Sequence, residues 1–159
     1  VHGFKPLTEL DPKDYAQSLQ AGGLTALYDA AHNAVASVTA YGQTLTAHDF
    51  DVNGIVFVIT DGADNRSAHS AAEVKQALRD AVAGEHLESM VSVLVGVNVA
   101  DARLADQLRR FSADAGFTEF VKLEKASEAT LAKLADFVSR SISLQSRSLG
   151  TGGAASLSF

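Results

Sequence analysis

Asp61 follows directly on the run Ile55-Val56-Phe57-Val58-Ile59-Thr60 and is followed by Gly62. A short stretch of Ile, Val and Phe without alternation reads as a strand buried on both faces, at the centre of a parallel sheet. The carboxyl end of such a strand is where open α/β sheets carry their ligands. Asp61 is the first residue past it, and Gly62 lets the backbone turn sharply beside it. A carboxylate in that place either holds a ligand or caps the turn. Asp64, Asn65 and Arg66 share the rim; they either touch a partner or bond local backbone as Asx-type turns do. The alternatives in catalysis lack their parts. There is no Gly-x-Ser-x-Gly elbow and no Gly-x-x-x-x-Gly-Lys-Ser/Thr phosphate loop. Asp61 and Asp64 have no further groups that would set one apart as acid and the other as base. His2, His32, His48, His69 and His86 show no paired ligand spacing and read as surface or helix residues. No enzyme is expected.

The positioning elements must fit a chain of 159 residues, enough for one domain with a real core. With 47% hydrophobic and 20% charged residues the composition is that of an ordinary globular protein. The formal net charge of -6 argues against nucleic acid as a partner, since no basic stripe is present to displace counterions. Apolar runs are strand-sized, so no membrane span is expected. The absence of cysteine excludes thiolate zinc, disulfides and cysteine nucleophiles, and fits a reducing, cytoplasmic setting. Val1 opens the chain without Met or a signal peptide, so a piece of a longer product is expected.

Taken in order, His2 to Leu7 reads as an edge strand, with Pro6 tolerated there. Asp11 caps a short helix with Pro12 at its first position. Ala21 to Thr25 is a loop. Thr25 is placed to cap a helix over 26–38 whose apolar face is Leu27, Ala31, Ala34, Val35 and Val38. Tyr41 to Asn53 reads as a polar connection. After the Ile55–Thr60 strand, Ser70 and Glu73 have capping-box spacing for a helix ending at Gly84, with Val74, Leu78, Ala81 and Val82 inward. Val91 to Val97 is a second buried strand. Asp101 caps a helix with Leu104, Leu108 and Phe111 inward. Thr118 to Leu123 is a third strand, and Ser127 opens a final helix through Leu134, Phe137, Val138 and Ile142. Alternating strands and helices predict a doubly wound, mainly parallel α/β sheet covered on both faces. From residue 144 to 159 the chain becomes Ser- and Gly-rich, a linker-like tail in which Leu157 and Phe159 are candidates for burial.

Gly22-Gly23-Leu24-Thr25-Ala26-Leu27-Tyr28-Asp29-Ala30, followed by Ile55-Val56-Phe57-Val58-Ile59-Thr60-Asp61-Gly62, resembles the von Willebrand factor A (vWA) domain family. The resemblance covers residues 1–143. It implies a Rossmann-like doubly wound fold with a metal-ion-dependent adhesion site at the top of the sheet. On this resemblance Thr25 offers a hydroxyl and Asp61 a carboxylate to a divalent cation. Mg²⁺, or Mn²⁺ or Ca²⁺ in its place, suits such hard oxygen donors and keeps several waters. Gly23 and Gly62 would let the backbone approach, and Asp64 and Asn65 would line the binding rim. The resemblance further implies a non-catalytic, protein-binding module of a bacterial, cytoplasmic assembly, its partner lending an acidic side chain to the metal shell.

The family's Asp-x-Ser-x-Ser motif is absent from the chain. The resemblance therefore starts near the family's third strand, as in an N-terminally truncated domain. It implies that the densest ligands, and the strand beside Ile55–Thr60, come from an N-terminal segment of the same protein or from another chain. Without them tight metal binding by this stretch alone is not expected. A metal-independent scaffold subunit is the alternative.

Overall fold

The structure is a computed structural model, and it describes residues 3–16, 23–151 and 153–159. The expectations for His2, Ala21 and Gly22 lie outside the described residues. Three parallel strands form the sheet: β1 (Asn53–Thr60), β2 (Ser89–Gly96) and β3 (Glu119–Lys122), in the order β1-β2-β3. The register sets Ile55 beside Val91 and Thr60 beside Gly96, then Val93 beside Glu119. The helices α1 (Leu27–Thr46), α2 (Ala71–Ala83), α3 (Ala102–Ala115) and α4 (Glu128–Arg147) alternate with the strands. The fold is α/β, a Rossmann-like parallel sheet flanked by helices.

Two apolar layers hold it together. On one face Val56, Val58 and Leu94 pack under α1, α2 and α3 through Leu27, Ala31, Val74, Leu108 and Phe111. On the other, Val91, Val93, Val95 and Val121 pack under α4 through Leu134 and Phe137. The run Val91 to Gly96 is buried throughout, so β2 is the strand covered on both faces. This departs from the expectation for Ile55–Thr60. β1 buries Val56, Val58 and Thr60, but Ile59 is 58% exposed. Among the described residues no strand pairs with its second edge. An apolar groove of about 700 Å³ runs beside β1, lined by Phe4, Val38, Tyr41, Ile55 and Val56 among others.

The helix starts follow local chemistry. Ser70 and Glu73 form the full capping box of α2. Asp101 accepts from the Leu104 amide at α3, and Ser127 from Thr130 at α4. Val82 points outward, 40% exposed, rather than joining the inner stripe of α2. α1 runs on to Thr46 through the stretch read as a connection. Its apolar periodicity stops at Val38, yet the later turns are held by tertiary packing. A Cβ on Gly42 would lie 2.6 Å from Leu87 Cδ2 and 3.0 Å from the His86 carbonyl oxygen, so only glycine lets α1 approach there.

The ends also differ from expectation. Gly3 to Pro6 forms no strand; two 3-10 turns follow, Leu7–Glu9 and Pro12–Tyr15, the second capped by Asp11. The Phe4 ring stacks on Tyr41 at 4.5 Å. The tail folds back over α4. The buried Gln145 side chain accepts from the Ala155 amide at 2.9 Å and donates to Ser89 Oγ at 2.7 Å. Leu157 packs against the α4 core, and Phe159 lies edge-on to Phe137 at 5.3 Å, still 47% exposed. Among the described residues no helix is long and apolar enough to cross a membrane.

Candidate functional site at the carboxyl end of β1

The loop from Asp61 to His69 leaves the top of β1 and lies across the amino end of α1. Its first turn is closed by Thr60, whose hydroxyl donates to the Gly62 carbonyl at 2.7 Å and accepts from the Gly62 amide at 3.2 Å. Gly62 keeps a negative φ, so the left-handed region is not the reason for glycine there. A Cβ at Gly62 would instead sit 3.4 Å from Thr25 Oγ1, which places the Thr25 hydroxyl against this turn. Gly23 has φ of 89°, a conformation that favours glycine, with open space around it. Its requirement is therefore torsional rather than close approach.

Thr25 and Asn65 are joined at two points. The Thr25 amide donates to Asn65 Oδ1 at 2.8 Å, and the Asn65 amide donates to the Thr25 carbonyl at 2.9 Å. Thr25 does not cap α1. The N-cap is Ala26, and the capping acceptors come from the loop: Asp64 Oδ1 takes the Tyr28 amide at 3.2 Å and Ser67 Oγ takes the Asp29 amide at 3.0 Å. Ser67 Oγ donates in turn to Asp64. Acidic and hydroxyl acceptors suit the positive end of a helix. Asp64 and Asn65 are thus committed to holding the loop on α1.

Asp29 returns the arrangement. From the first turn of α1 its carboxylate accepts from the Ala68 amide at 3.0 Å, the His69 amide at 2.8 Å and His69 Nδ1 at 2.7 Å. These bonds, the His69 and Ala68 amides foremost, hold the Asp29 carboxyl down at about 2. Because the folded value lies below the ordinary carboxylate value of about 4, the stabilisation is complete above that value and lost as pH falls toward about 2. Asp29→Asn is expected to flatten this part of the profile. Denaturant midpoints measured downward from about pH 5 should fall less for the variant than for the parent protein.

Asp61 stands apart from this network. It is exposed, and no hydrogen bond or ion pair joins its carboxylate to another described residue. The site therefore brings together Thr25, Asp61 and Gly62 at one turn, with Asp64 and Asn65 beneath as fasteners. Ser67, His69 and His32 belong to the same assembly and were not foreseen as such. Their partners lie far along the chain, Asp29 to His69 being 40 residues apart, so local pattern carries no signal of them.

Beside the loop, Tyr28 stacks on Phe111 at 4.3 Å, and its hydroxyl is held above its ordinary value by burial, then by Asp64 and Asp114. Among the described residues no three His, Cys, Asp or Glu side chains converge as a metal cage. The Thr25 hydroxyl lies against the Gly62 turn and the Asp61 carboxylate precedes it in the chain; both are hard oxygen donors of the kind that Mg²⁺ accepts in small number alongside waters. The donor chemistry fits a hard cation as a partial shell. Comparison of the chain with protein-family models, with curated proteins and with solved structures gives no match.

Proposed function

We propose that the chain is part of a non-catalytic, protein-binding domain of the vWA type, acting in a cytoplasmic, bacterial assembly. In this reading Asp61 and Thr25 contribute a carboxylate and a hydroxyl to a divalent cation, Mg²⁺ or in its place Mn²⁺ or Ca²⁺. The cation, when bound, supplies a Lewis-acidic position for an acidic side chain of the protein partner.

The observation that carries the reading is the contrast among the loop's carboxylates. Asp64 and Asp29 are spent on backbone amides, whereas among the described residues none engages the Asp61 carboxylate, on a turn fixed from both sides. A site that must bind without reorganising needs such a fixed but unsatisfied donor. The edge of β1 that no described strand pairs with, and the groove beside it, support the second part of the proposal. There a further segment, from the same protein or another chain, adds a strand and the remaining ligands. The resemblance rests on the Gly23–Ala30 and Ile55–Gly62 stretches together, since each alone is only moderately specific.

Calorimetric titration with Mn²⁺ tests the metal role. Weak binding that Asp61→Ala removes is the expected result, because two protein oxygens make a partial shell. Heat unchanged by the substitution would reject the role of Asp61. The alternative is a metal-independent scaffold subunit. Partner binding that survives a chelator would select it.

A further inference from the structure

The rings of His32, on α1, and His69, at the end of the loop, stack with centroids 4.0 Å apart and planes 16° from parallel. Nearly parallel rings direct their in-plane lone pairs side by side, so they do not converge on one metal ion. What the stack does is hold the end of the loop. His69 Nδ1 is bonded to Asp29, and the amides of Ala68 and His69 are bonded to the same carboxylate. His32 Nδ1 is buried and has no hydrogen-bond partner among the described residues. Two carboxylates face the pair: Asp29 from α1, on His69, and Glu73 from the first turn of α2, whose charge senses both rings. Glu73 is bound to the Ser70 amide and hydroxyl. Asp80 lines the same groove between α1 and α2 as His32 and accepts from Gln76.

We propose that the His32–His69 stack is an acid-opened latch on the Asp61–His69 loop, closed with at most one proton on the pair and released by the second. The His69 ring faces the Asp29 carboxylate, which accepts from Nδ1 in either charge state. A second proton, on His32, would bury an N–H at Nδ1 without an acceptor and place a second positive charge against the first ring. His32 is fixed in the middle of a helix, whereas His69 sits on a loop. Relief therefore comes by His69 and Ala68 leaving Asp29. The open state then holds one more proton than the closed one, so lowering the pH favours opening, by up to about tenfold per pH unit. The latch acts on the loop whether or not a cation binds at Asp61.

Amide hydrogen exchange at Ala68 and His69 in the full chain, corrected for intrinsic rates, reads the opening directly. From about pH 7.5 to 5 the opening constant should rise with a limiting slope of about tenfold per unit. In His32→Phe, which keeps a flat ring and takes no proton, the acid-driven rise should vanish with the loop still protected. A flat profile in the parent protein, or the same slope in His32→Phe, overturns the proposal. Ring-proton shifts of both histidines in the parent protein give a second reading without any variant. The His32 titration should coincide with loss of protection at Ala68, and His32 charging while those amides stay protected would equally overturn it.

Discussion

Phe137→Ala is expected to lower the free energy of unfolding by about 3–5 kcal/mol, the range for truncating a buried aromatic side chain. Phe137 is 1% exposed and is the largest fully buried side chain. It sits under the sheet face formed by Val91, Val93, Val95 and Val121. Its ring meets Phe57 edge-on at 6.3 Å and Phe159 at 5.3 Å, so it joins β1, α4 and the tail. Small domains have about 5–15 kcal/mol in total, so the loss is a large share. The tail should loosen as well, because Phe159 and Leu157 rest on this cluster. Equilibrium denaturation, with exchange of the Ala155 amide as a local reading, checks both parts. A loss below about 1 kcal/mol would mean that α4 contributes little to the core.

Asp64→Ala is expected to act on the site rather than on the core. It removes the acceptor of the Tyr28 and Ser67 amides and of the Ser67 hydroxyl. Loss of a cap of this kind costs about 1–2 kcal/mol. The larger consequence is positional. Without Asp64 the loop keeps the Thr25–Asn65 clamp and the Asp29 bonds but loses its middle fastening, so the turn at Asp61 and Gly62 is held less firmly over the amino end of α1. Exchange at Tyr28 and Ser67 should accelerate while β2 stays protected. Uniform acceleration across β2 would show that the loop is a strut of the whole fold.

Both expectations rest on interactions that the sequence disclosed unevenly. The capping box at Ser70, Asp101 at α3 and Ser127 at α4 were legible because a cap and its target lie within one turn. The buried strand pattern at Val91–Gly96 was legible for the same local reason. The extent of α1 was not: Gln43, Thr44 and Thr46 look like a connection, and their helix is secured by Gly42 approaching Leu87 from another part of the chain. The place of β1 was misjudged because six residues with five apolar ones signal burial without saying on how many sides; Ile59 shows the difference. At the site, Thr25 and Gly62 were paired through a family resemblance, and the structure sets them within contact of one turn. Asp64 and Asn65, expected at the rim, also accept from the Tyr28 and Thr25 amides, because the amino end of α1 needs acceptors that Ala26 does not offer; Asn65 stays exposed while doing so.

The proposed cation site is the turn at Asp61, with Thr25 beside Gly62. Paramagnetic broadening by Mn²⁺ tests it most directly, since it locates even a weakly held ion residue by residue. Substoichiometric Mn²⁺ should broaden the amide resonances of Thr25, Asp61 and Gly62 first, and Asp61→Ala should abolish that pattern while leaving the rest of the spectrum unchanged. Broadening that is centred elsewhere, or that persists at Thr25 and Gly62 in Asp61→Ala, would contradict the account.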